Sequence, residues 1–250
     1  MNYLLRLIIC SILLGFFFSC VKKDEGKLRL IVLTGTNNHD WKATTKQLKT
    51  MYNESGRFEV HVTESPDTLG YNDFKKFDVV LSNWNPWPEN KVDWPDTTKQ
   101  GLMKYIESGG GFVLFHAASA AFYDWKEFHE LIGGTWFGRT RHGKITDHEV
   151  IIDDKDHPIT KGLSNFRIKD ELWVEMKLQD SVNILASSFS KKDNNGRDMM
   201  EPVMFWNLKG TGRCFYNVLG HNVEALENEH WKKIMLRGTE WAATGKVSNF

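Results

Sequence analysis

Cysteine is scarce in this chain of 250 residues, with Cys10, Cys20 and Cys214 as its three thiols. Cys10 and Cys20 lie in an amino-terminal segment that we expect to be removed or modified, so Cys214 has no partner for an intramolecular disulfide. The sequence therefore predicts a fold without disulfide bonds. Cys214 lies in the apolar run from Arg213 to Val218, where we expect a buried structural thiol and not a nucleophile.

The chain also lacks net charge, since its 32 basic and 32 acidic side chains balance. Without an excess of positive charge to attract phosphates, we expect no nucleic-acid partner. Hydrophobic residues make up 41% and aromatic residues 13%, enough to build a packed core. The length suits one α/β domain, and we find no internal repeat or linker. A globular enzyme or binding protein remains.

The apolar run from Leu7 to Phe18 is shorter than the ~20 residues that a membrane helix needs. With Arg6 before it, the run predicts a signal peptide over residues 1–20. Phe17-Phe18-Ser19-Cys20 resembles a bacterial lipoprotein box, in which the cysteine is acylated, and residues 21–27 resemble the tether of some Bacteroidetes surface lipoproteins. We therefore expect an exported protein with a lipid anchor at Cys20, in the outer membrane and facing the periplasm or the cell surface. An uncleaved anchor, or soluble export with a chance cysteine, is the alternative.

The rest of the chain, residues 28–245, reads as one domain in which strands and helices alternate and then strands dominate. We expect helices from Asp40 to about Asn53, from Asp96 or Thr97 as the cap to Ser108, and from Glu227 to Ala243. The predicted strands are Lys27 to Leu33, Phe58 to Val62, Asp78 to Leu81, Phe112 to Phe115, Lys144 to Ile152, Arg167 to Met176, Val182 to Ala186, Pro202 to Trp206 and Gly212 to Val218. This order predicts a doubly wound parallel sheet with an additional β-rich part.

Ligands of open parallel sheets bind outside the carboxyl ends of the strands, where the loops converge. His39 follows the first predicted strand, Trp84 and Trp87 follow the third, and His116 and His221 follow Phe115 and the last strand. We therefore expect these side chains to share one edge of the sheet.

The order of a glycine run, an apolar strand, a turn residue and small residues resembles the class I glutamine amidotransferases. In that family the turn residue is a nucleophilic cysteine and a late histidine is its base. Here the turn residue is His116, and Cys214 lies inside a strand. Without a thiol at the turn, we expect no amidotransferase activity.

A closer resemblance is to the ThuA-like, or trehalose-utilisation, family, which is similar to the same scaffold without the cysteine. It covers about Leu28 to Trp241, and its order of motifs is specific although each motif alone is weak. The motifs are Leu33-Thr34-Gly35 with His39-Asp40-Trp41, Gly109 to Ala118, His157 to Leu163, Asp170 to Trp173, and Gly210 to His221. The resemblance implies a flavodoxin-like or amidotransferase-like fold, a role in sugar utilisation and an association with keto-sugar metabolism.

Converging neutral imidazoles and a carboxylate form a site that suits zinc or a similar divalent ion. We expect His39, His116 and His221 as the first metal ligands, with Glu171 or Asp170 as the carboxylate or general base. The candidate catalytic residues are thus His116, Glu171, His221 and Asp170. A metal-free pocket lined by the same hydrogen-bonded side chains is the alternative, and we expect no nucleotide cofactor.

Two further segments carry candidate substrate-binding residues. The chain has ten tryptophans, and exposed rings of Trp84 and Trp87 would suit the apolar faces of a sugar, although packing within their loop is the alternative. Trp173, in a predicted strand, is expected in the core. Arg139 and His142 lie in a glycine-containing loop that suits hydroxyl or carboxylate groups, or else in a solvated connector.

We expect an enzyme that acts on a sugar or keto-glycoside by hydrolysis, elimination or isomerisation. The rival is a non-catalytic surface lipoprotein that binds carbohydrate. A hydrolase based on Ser119 is disfavoured, because Ser119 lacks a Gly-x-Ser-x-Gly elbow. The partner in either case is a small carbohydrate, and the sequence does not indicate an oligomeric state.

Overall fold

The structure, a computed structural model, describes residues 26–88 and 92–248. The predicted signal peptide, Cys20 and most of the tether lie outside the described residues. Within the described part of the chain, no helix is long and apolar enough to cross a membrane.

The described chain forms strands and α-helices joined by short loops and three 3-10 turns. The strands are β1 (Leu28–Leu33), β2 (Phe58–Thr63), β3 (Val79–Ser82), β4 (Gly111–Phe115), β5 (Gly134–Thr135), β6 (Arg141–His142), β7 (Thr146–Ile152), β8 (Phe166–Asp170), β9 (Trp173–Val174), β10 (Lys177–Leu178), β11 (Asn183–Ser190), β12 (Met199–Lys209) and β13 (Gly212–Asn217). The helices are α1 (Trp41–Glu54), α2 (Tyr71–Phe74), α3 (Asp96–Glu107), α4 (Lys126–Ile132), α5 (Val223–Leu226) and α6 (Glu229–Thr244). The 3-10 turns are Pro66–Thr68, His116–Ala120 and Lys192–Asn194.

Nine strands form the main sheet, in the order β2-β1-β3-β4-β13-β12-β11-β7-β8. The first five are parallel, and the last four extend the sheet with antiparallel pairs. Two short ribbons, β5 with β10 and β6 with β9, lie outside the main sheet. This topology confirms the predicted doubly wound α/β fold with an additional β-rich part.

The inner parallel strands β1, β3, β4 and β13 are largely buried on both faces and are mostly apolar, whereas the edge strand β2 is largely exposed and alternates with polar residues. In β1, Leu30 and Val32 face a core cluster shared with α1 and α6, while Ile31 and Leu33 face a second cluster shared with α3 and α4. Cys214 is buried in β13, and burial raises the pKa of its thiol. A buried structural role for this cysteine follows.

Two predicted boundaries need correction. Helix α3 is preceded by Pro95 at its N-cap, without the side-chain cap expected from Asp96 or Thr97. The strand predicted over Arg167 to Met176 is interrupted after Asp170, because the Asp170 carboxylate accepts the backbone N–H of Glu171 and the chain leaves the sheet there. The interruption places Glu171 at the end of a strand, next to the site described below.

Candidate functional site

Four side chains from four separate segments meet at the carboxyl edge of the parallel strands. His39 lies in the loop after β1, His116 begins the turn after β4, Glu171 follows β8, and His221 follows β13. One nitrogen or oxygen atom of each lies within 4.8 Å of those of the other three. The structure therefore brings together the three histidines that the strand order predicts, and it adds Glu171 from the far edge of the sheet.

His116 is held at the turn by its backbone and by one ring nitrogen. Its φ of 43° is in the left-handed region, which is uncommon for a residue with a side chain. The Tyr216 hydroxyl lies 2.7 Å from the His116 carbonyl oxygen. Nδ1 of His116 lies 2.6 Å from the carbonyl oxygen of Val218. Because a carbonyl only accepts, Nδ1 carries the proton and Nε2 of the neutral ring is a bare acceptor.

His39 has the same tautomer for a similar reason. Its Nδ1 lies 3.0 Å from Oδ1 of Asn37. The Asn37 amide nitrogen donates to Oδ1 of Asn83 at 3.1 Å, so Oδ1 of Asn37 is free to accept. Burial and the neighbouring His116 lower the pKa of His39 to about 3, which keeps the ring neutral near pH 7. Nε2 of His39 therefore also presents a lone pair.

The two bare nitrogens face each other, since Nε2 of His39 and Nε2 of His116 are 3.4 Å apart. Neither nitrogen carries a proton in this tautomer, so the two cannot form a hydrogen bond with each other. This arrangement suits an electrophile between them.

Glu171 is 3% exposed and lies at the centre of the cluster. Oε1 accepts a hydrogen bond from Trp173 Nε1 at 2.6 Å and lies 3.4 Å from Nε2 of His116. Oε2 lies 2.9 Å from Nδ1 of His221 and 3.3 Å from Nδ1 of His142. Burial raises the pKa of Glu171, but the contacts with His116, His221 and the Trp173 N–H outweigh burial and hold the pKa well below its usual range. The contact with Nε2 of His116 acts in this direction only when that nitrogen carries a proton. Glu171 is therefore a buried carboxylate anion.

His221 and Glu171 interact by proximity of charge. Although Nδ1 of His221 is 2.9 Å from Oε2 of Glu171, it is not aligned for a hydrogen bond. The nearby carboxylate raises the pKa of His221. In the described part of the chain, this ring nitrogen is buried without a hydrogen-bond partner.

Asp170 has a different position from the one predicted. Its side chain is fully buried, and its oxygens accept backbone N–H groups of Glu171, Gly220 and His221. Burial raises the pKa of this carboxyl. Asp170 is therefore enclosed and does not line the pocket described below, and its catalytic role stays a prediction.

A small pocket of about 60 Å³ opens beside the cluster. Its lining residues are Asn38, His39, Trp87, Ala117, Ala120, Trp136, His142, Glu171 and Trp173. The Trp136 ring centroid is 4.6 Å from that of Trp173 and 6.5 Å from that of Trp87. The pocket is therefore lined by three indole rings, by two alanines and by two imidazoles, together with Asn38 and Glu171. A larger cavity of about 510 Å³ lies along β7 and β8, and none of the four clustered side chains lines it.

The predicted substrate-binding residues divide into two pairs. Trp87 and His142 line the pocket, as expected for residues that contact a ligand. Trp84 is 4% exposed and packs on Trp94 and Phe122, so the expectation of an exposed ring is wrong. Arg139 extends into solvent and forms an ion pair of 2.9 Å with Glu175, outside the pocket lining.

Two further pocket residues are not predicted from the sequence. Trp136 begins the loop that carries Arg139 and His142. This position in the sequence is the feature that could have indicated its place in the pocket. Trp173 lies two residues after Glu171, in β9. It is 3% exposed, as expected for a core residue, yet its ring edge donates to Glu171 and also lines the pocket.

The fold and the cluster define a class: an α/β protein of the amidotransferase-like kind whose turn residue is an imidazole and not a thiol. Residues 29–242 match a sequence profile of the ThuA family, described as trehalose utilisation. The chain belongs to this family, and a role in carbohydrate utilisation follows from that membership.

Solved structures agree with this assignment. A ThuA-like protein from Parabacteroides merdae is 30% identical with a TM-score of 0.82, over 90% of this chain and 93% of that one. A ThuA-like protein from Bacteroides uniformis is 20% identical with a TM-score of 0.68, over 89% and 93% of the two chains. A GMP synthase component from Thermoplasma acidophilum, 12% identical with a TM-score of 0.55 over 88% and 96%, shares the fold alone. Among curated proteins, none matches this chain.

Proposed function

We propose that this protein is an enzyme that acts on a sugar or keto-glycoside at a divalent metal held by His39, His116, His221 and Glu171. The observation that carries the proposal is the set of distances between donor atoms. Metal bonds of about 2.1 Å place neighbouring ligand atoms about 3.0 Å apart at right angles and about 3.4 Å apart at a tetrahedral angle. Three of the six pairs fall in this range, at 2.9 Å for His221 Nδ1 to Glu171 Oε2, 3.4 Å for His116 Nε2 to Glu171 Oε1 and 3.4 Å for His39 Nε2 to His116 Nε2. All the candidate ligand atoms lie within 4.8 Å of one another.

The protonation states support the same conclusion. Metal ligands must be deprotonated, and His39 and His116 each direct a bare Nε2 inward while Nδ1 donates outward. Imidazole and carboxylate ligands together suit zinc and similar divalent ions. The ionised Glu171 supplies negative charge that offsets part of the charge of a cation.

The pocket supports a sugar as the ligand. Indole rings offer flat apolar faces with few rotatable bonds, which suits the apolar face of a sugar ring. Trp87 and Trp136 provide such faces beside the cluster, and His142 provides a polar group for a sugar hydroxyl. A divalent ion would polarise a sugar carbonyl or hydroxyl oxygen and so assist hydrolysis, elimination or isomerisation. Thioester chemistry with glutamine is not proposed, because His116 replaces the required thiol.

Metal analysis of the purified protein tests this proposal. We expect about one equivalent of zinc or a similar ion, removable by chelator. We also expect turnover of a disaccharide or its 3-keto form that is lost with the metal and restored on its return. A protein with no metal, and with activity unaffected by chelator, would contradict the metal site.

The walls of the pocket also favour a second candidate, a carbohydrate-binding protein without catalysis. The three indole rings that line the pocket would contact a sugar in the same way whether or not the protein is an enzyme. Sugar binding by the metal-free protein, together with no turnover of any disaccharide by the metal-loaded protein, would support this alternative.

We further propose that the protein is exported and anchored in the cell envelope by acylation of Cys20. The lipoprotein-like order Phe17-Phe18-Ser19-Cys20 after an apolar run supports it. Cys20→Ala is expected to abolish incorporation of labelled palmitate and to release the protein from the membrane fraction. Equal labelling of Cys20→Ala and the wild type would disprove acylation at this residue.

A further inference from the structure

Glu171 reaches the cluster from the far edge of the main sheet. Strand β8, which it follows, is four places away from β13, which precedes His221. At about 4.8 Å per strand, a flat sheet would separate these two strands by about 19 Å. Yet Oε2 of Glu171 lies 2.9 Å from Nδ1 of His221. The segment between β13 and His221 must therefore reach across this distance, and it needs a specific connection to the end of β8.

Packing brings the two elements near each other. Phe166 and Ile168 of β8 belong to the same core cluster as Leu226 of α5 and Trp231 of α6. The Asn228 side chain also donates to the carbonyl oxygen of Arg167 at 2.8 Å. Such contacts hold the two elements together, but they act on residues before Glu171 and after His221.

Asp170 makes the connection at the metal ligands themselves. Its Oδ2 accepts the N–H of Gly220 at 2.6 Å. Its Oδ1 accepts the N–H of Glu171 at 2.8 Å and of His221 at 3.2 Å. One carboxylate thus holds the backbones of two of the four clustered residues. The side chain is fully buried, and no Lys or Arg is among its hydrogen-bond partners in the described chain.

A buried carboxylate without a cationic partner is costly, because charge is removed from water. Three N–H donors offset part of that cost. An apolar side chain would fill this space without the cost of burying a charge. The presence of a carboxylate therefore indicates that its three hydrogen bonds to backbone N–H groups matter.

We infer that Asp170 is a positioning residue that fixes Glu171 and His221 in the geometry of the metal site. This inference rests on the proposed metal site and assigns Asp170 no contact with substrate. Residues that orient metal ligands commonly change metal affinity by about 10- to 100-fold when replaced. The role is therefore measurable by metal binding alone.

Asp170→Asn separates this role from simple packing, since it keeps the shape of the side chain. A carboxamide has one acceptor oxygen and one NH₂ group. If the amide oxygen takes the place of Oδ1, the NH₂ group faces the N–H of Gly220. If the amide is reversed, the NH₂ group faces the N–H groups of Glu171 and His221. At least one of the three hydrogen bonds is lost in either case.

A matched control is available at Asp154, which also accepts two backbone N–H groups. Oδ1 of Asp154 lies 3.0 Å from the backbone nitrogens of Asp156 and of His157, in a turn that contributes nothing to the cluster. Because one oxygen accepts both groups, asparagine would keep these contacts, and Asp154→Ala is the variant that removes them away from the metal site.

The experiment compares wild-type protein, Asp170→Asn and Asp154→Ala after removal of metal. Zinc affinity is measured by competition with a chelating dye, the Co²⁺ form is examined by visible absorption, and thermal unfolding is measured without metal. We expect Asp170→Asn to bind zinc about 10- to 100-fold more weakly and to show an altered Co²⁺ spectrum. We expect Asp154→Ala to match the wild type in both, even where the two variants unfold at similarly lowered temperatures.

Three results would contradict the inference, and they differ in what they say about the proposed metal site. If wild-type protein binds zinc and Asp170→Asn binds it equally, with the same Co²⁺ spectrum, the positioning role is wrong and the metal site stands. If both Asp variants lose affinity equally, Asp170 acts only through stability and the inference is also wrong. If wild-type protein binds neither ion, the proposed metal site fails and the inference fails with it.

Discussion

His116→Ala is expected to abolish metal binding and to lower turnover of the sugar substrate by about a thousandfold or more. Nε2 of His116 is the donor atom that neighbours both His39 and Glu171, at 3.4 Å from each. Its removal leaves only part of the ligand set. Loss of about 4 kcal/mol of transition-state stabilisation by a metal corresponds to about a thousandfold in rate. Bound zinc and the rate of disaccharide or keto-disaccharide consumption are the quantities to measure.

The same variant separates the enzyme from the binding protein. Trp87, Trp136 and His142 remain in His116→Ala, so we expect sugar affinity, measured by calorimetry, to fall by no more than a few fold. His116→Asn is a useful second variant, because asparagine tolerates the left-handed backbone that φ of 43° imposes. His129→Ala, in helix α4 outside the cluster, is the control and should keep wild-type turnover. Turnover retained in both His116 variants would exclude the proposed site.

The meeting of the three histidines is predictable from sequence because it depends on parallel strands alone. β1, β4 and β13 read as short apolar runs, and His39, His116 and His221 come soon after the carboxyl end of each. Parallel strands of one sheet bring these ends to one edge, so no knowledge of the long-range packing is needed. The same argument places Trp87, which follows β3.

The carboxylate is harder to predict, since Asp170 and Glu171 are adjacent and chemically equivalent in sequence. Their roles separate only when the chain leaves β8 and the segment after β13 brings Gly220 and His221 against one of them. Asp170 then faces backbone N–H groups and Glu171 faces the imidazoles. That meeting depends on contacts between distant elements, which local periodicity does not contain.

Tryptophan burial shows a similar limit. Trp84 and Trp87 lie three residues apart in one loop, yet Trp84 packs on Phe122 while Trp87 lines the pocket. The difference depends on which side of the loop faces Phe122, a residue beyond β4. The spacing of residues in a loop does not predict which side chain is buried. In helices it does, and the predicted ends of α1 and α6 lie within about two residues of the observed ones.

Gly220→Ala is expected to lower the free energy of unfolding by about 2 to 5 kcal/mol and to weaken metal binding. Gly220 has φ of 126°, which costs a residue with a side chain about 1 to 2 kcal/mol. An added Cβ would lie 2.4 Å from the Phe115 ring and 3.2 Å from the Trp231 ring, both buried. Crowding of this kind costs a further ~1 to 3 kcal/mol. Urea unfolding of the metal-free protein measures the sum.

Gly162→Ala isolates the backbone contribution, because Gly162 also has positive φ, at 74°, but has nothing within 4 Å of an added Cβ. We expect it to cost only the ~1 to 2 kcal/mol of the left-handed conformation and to leave zinc affinity unchanged. The excess in Gly220→Ala then measures the contact with Phe115 and Trp231 together with the additional strain of its larger φ. Because Gly220 also donates to Asp170 and precedes His221, relief of this crowding by a backbone shift would displace His221, one of the proposed metal ligands. Equal destabilisation by the two substitutions, with zinc affinity intact in both, would show that the turn before His221 adapts freely.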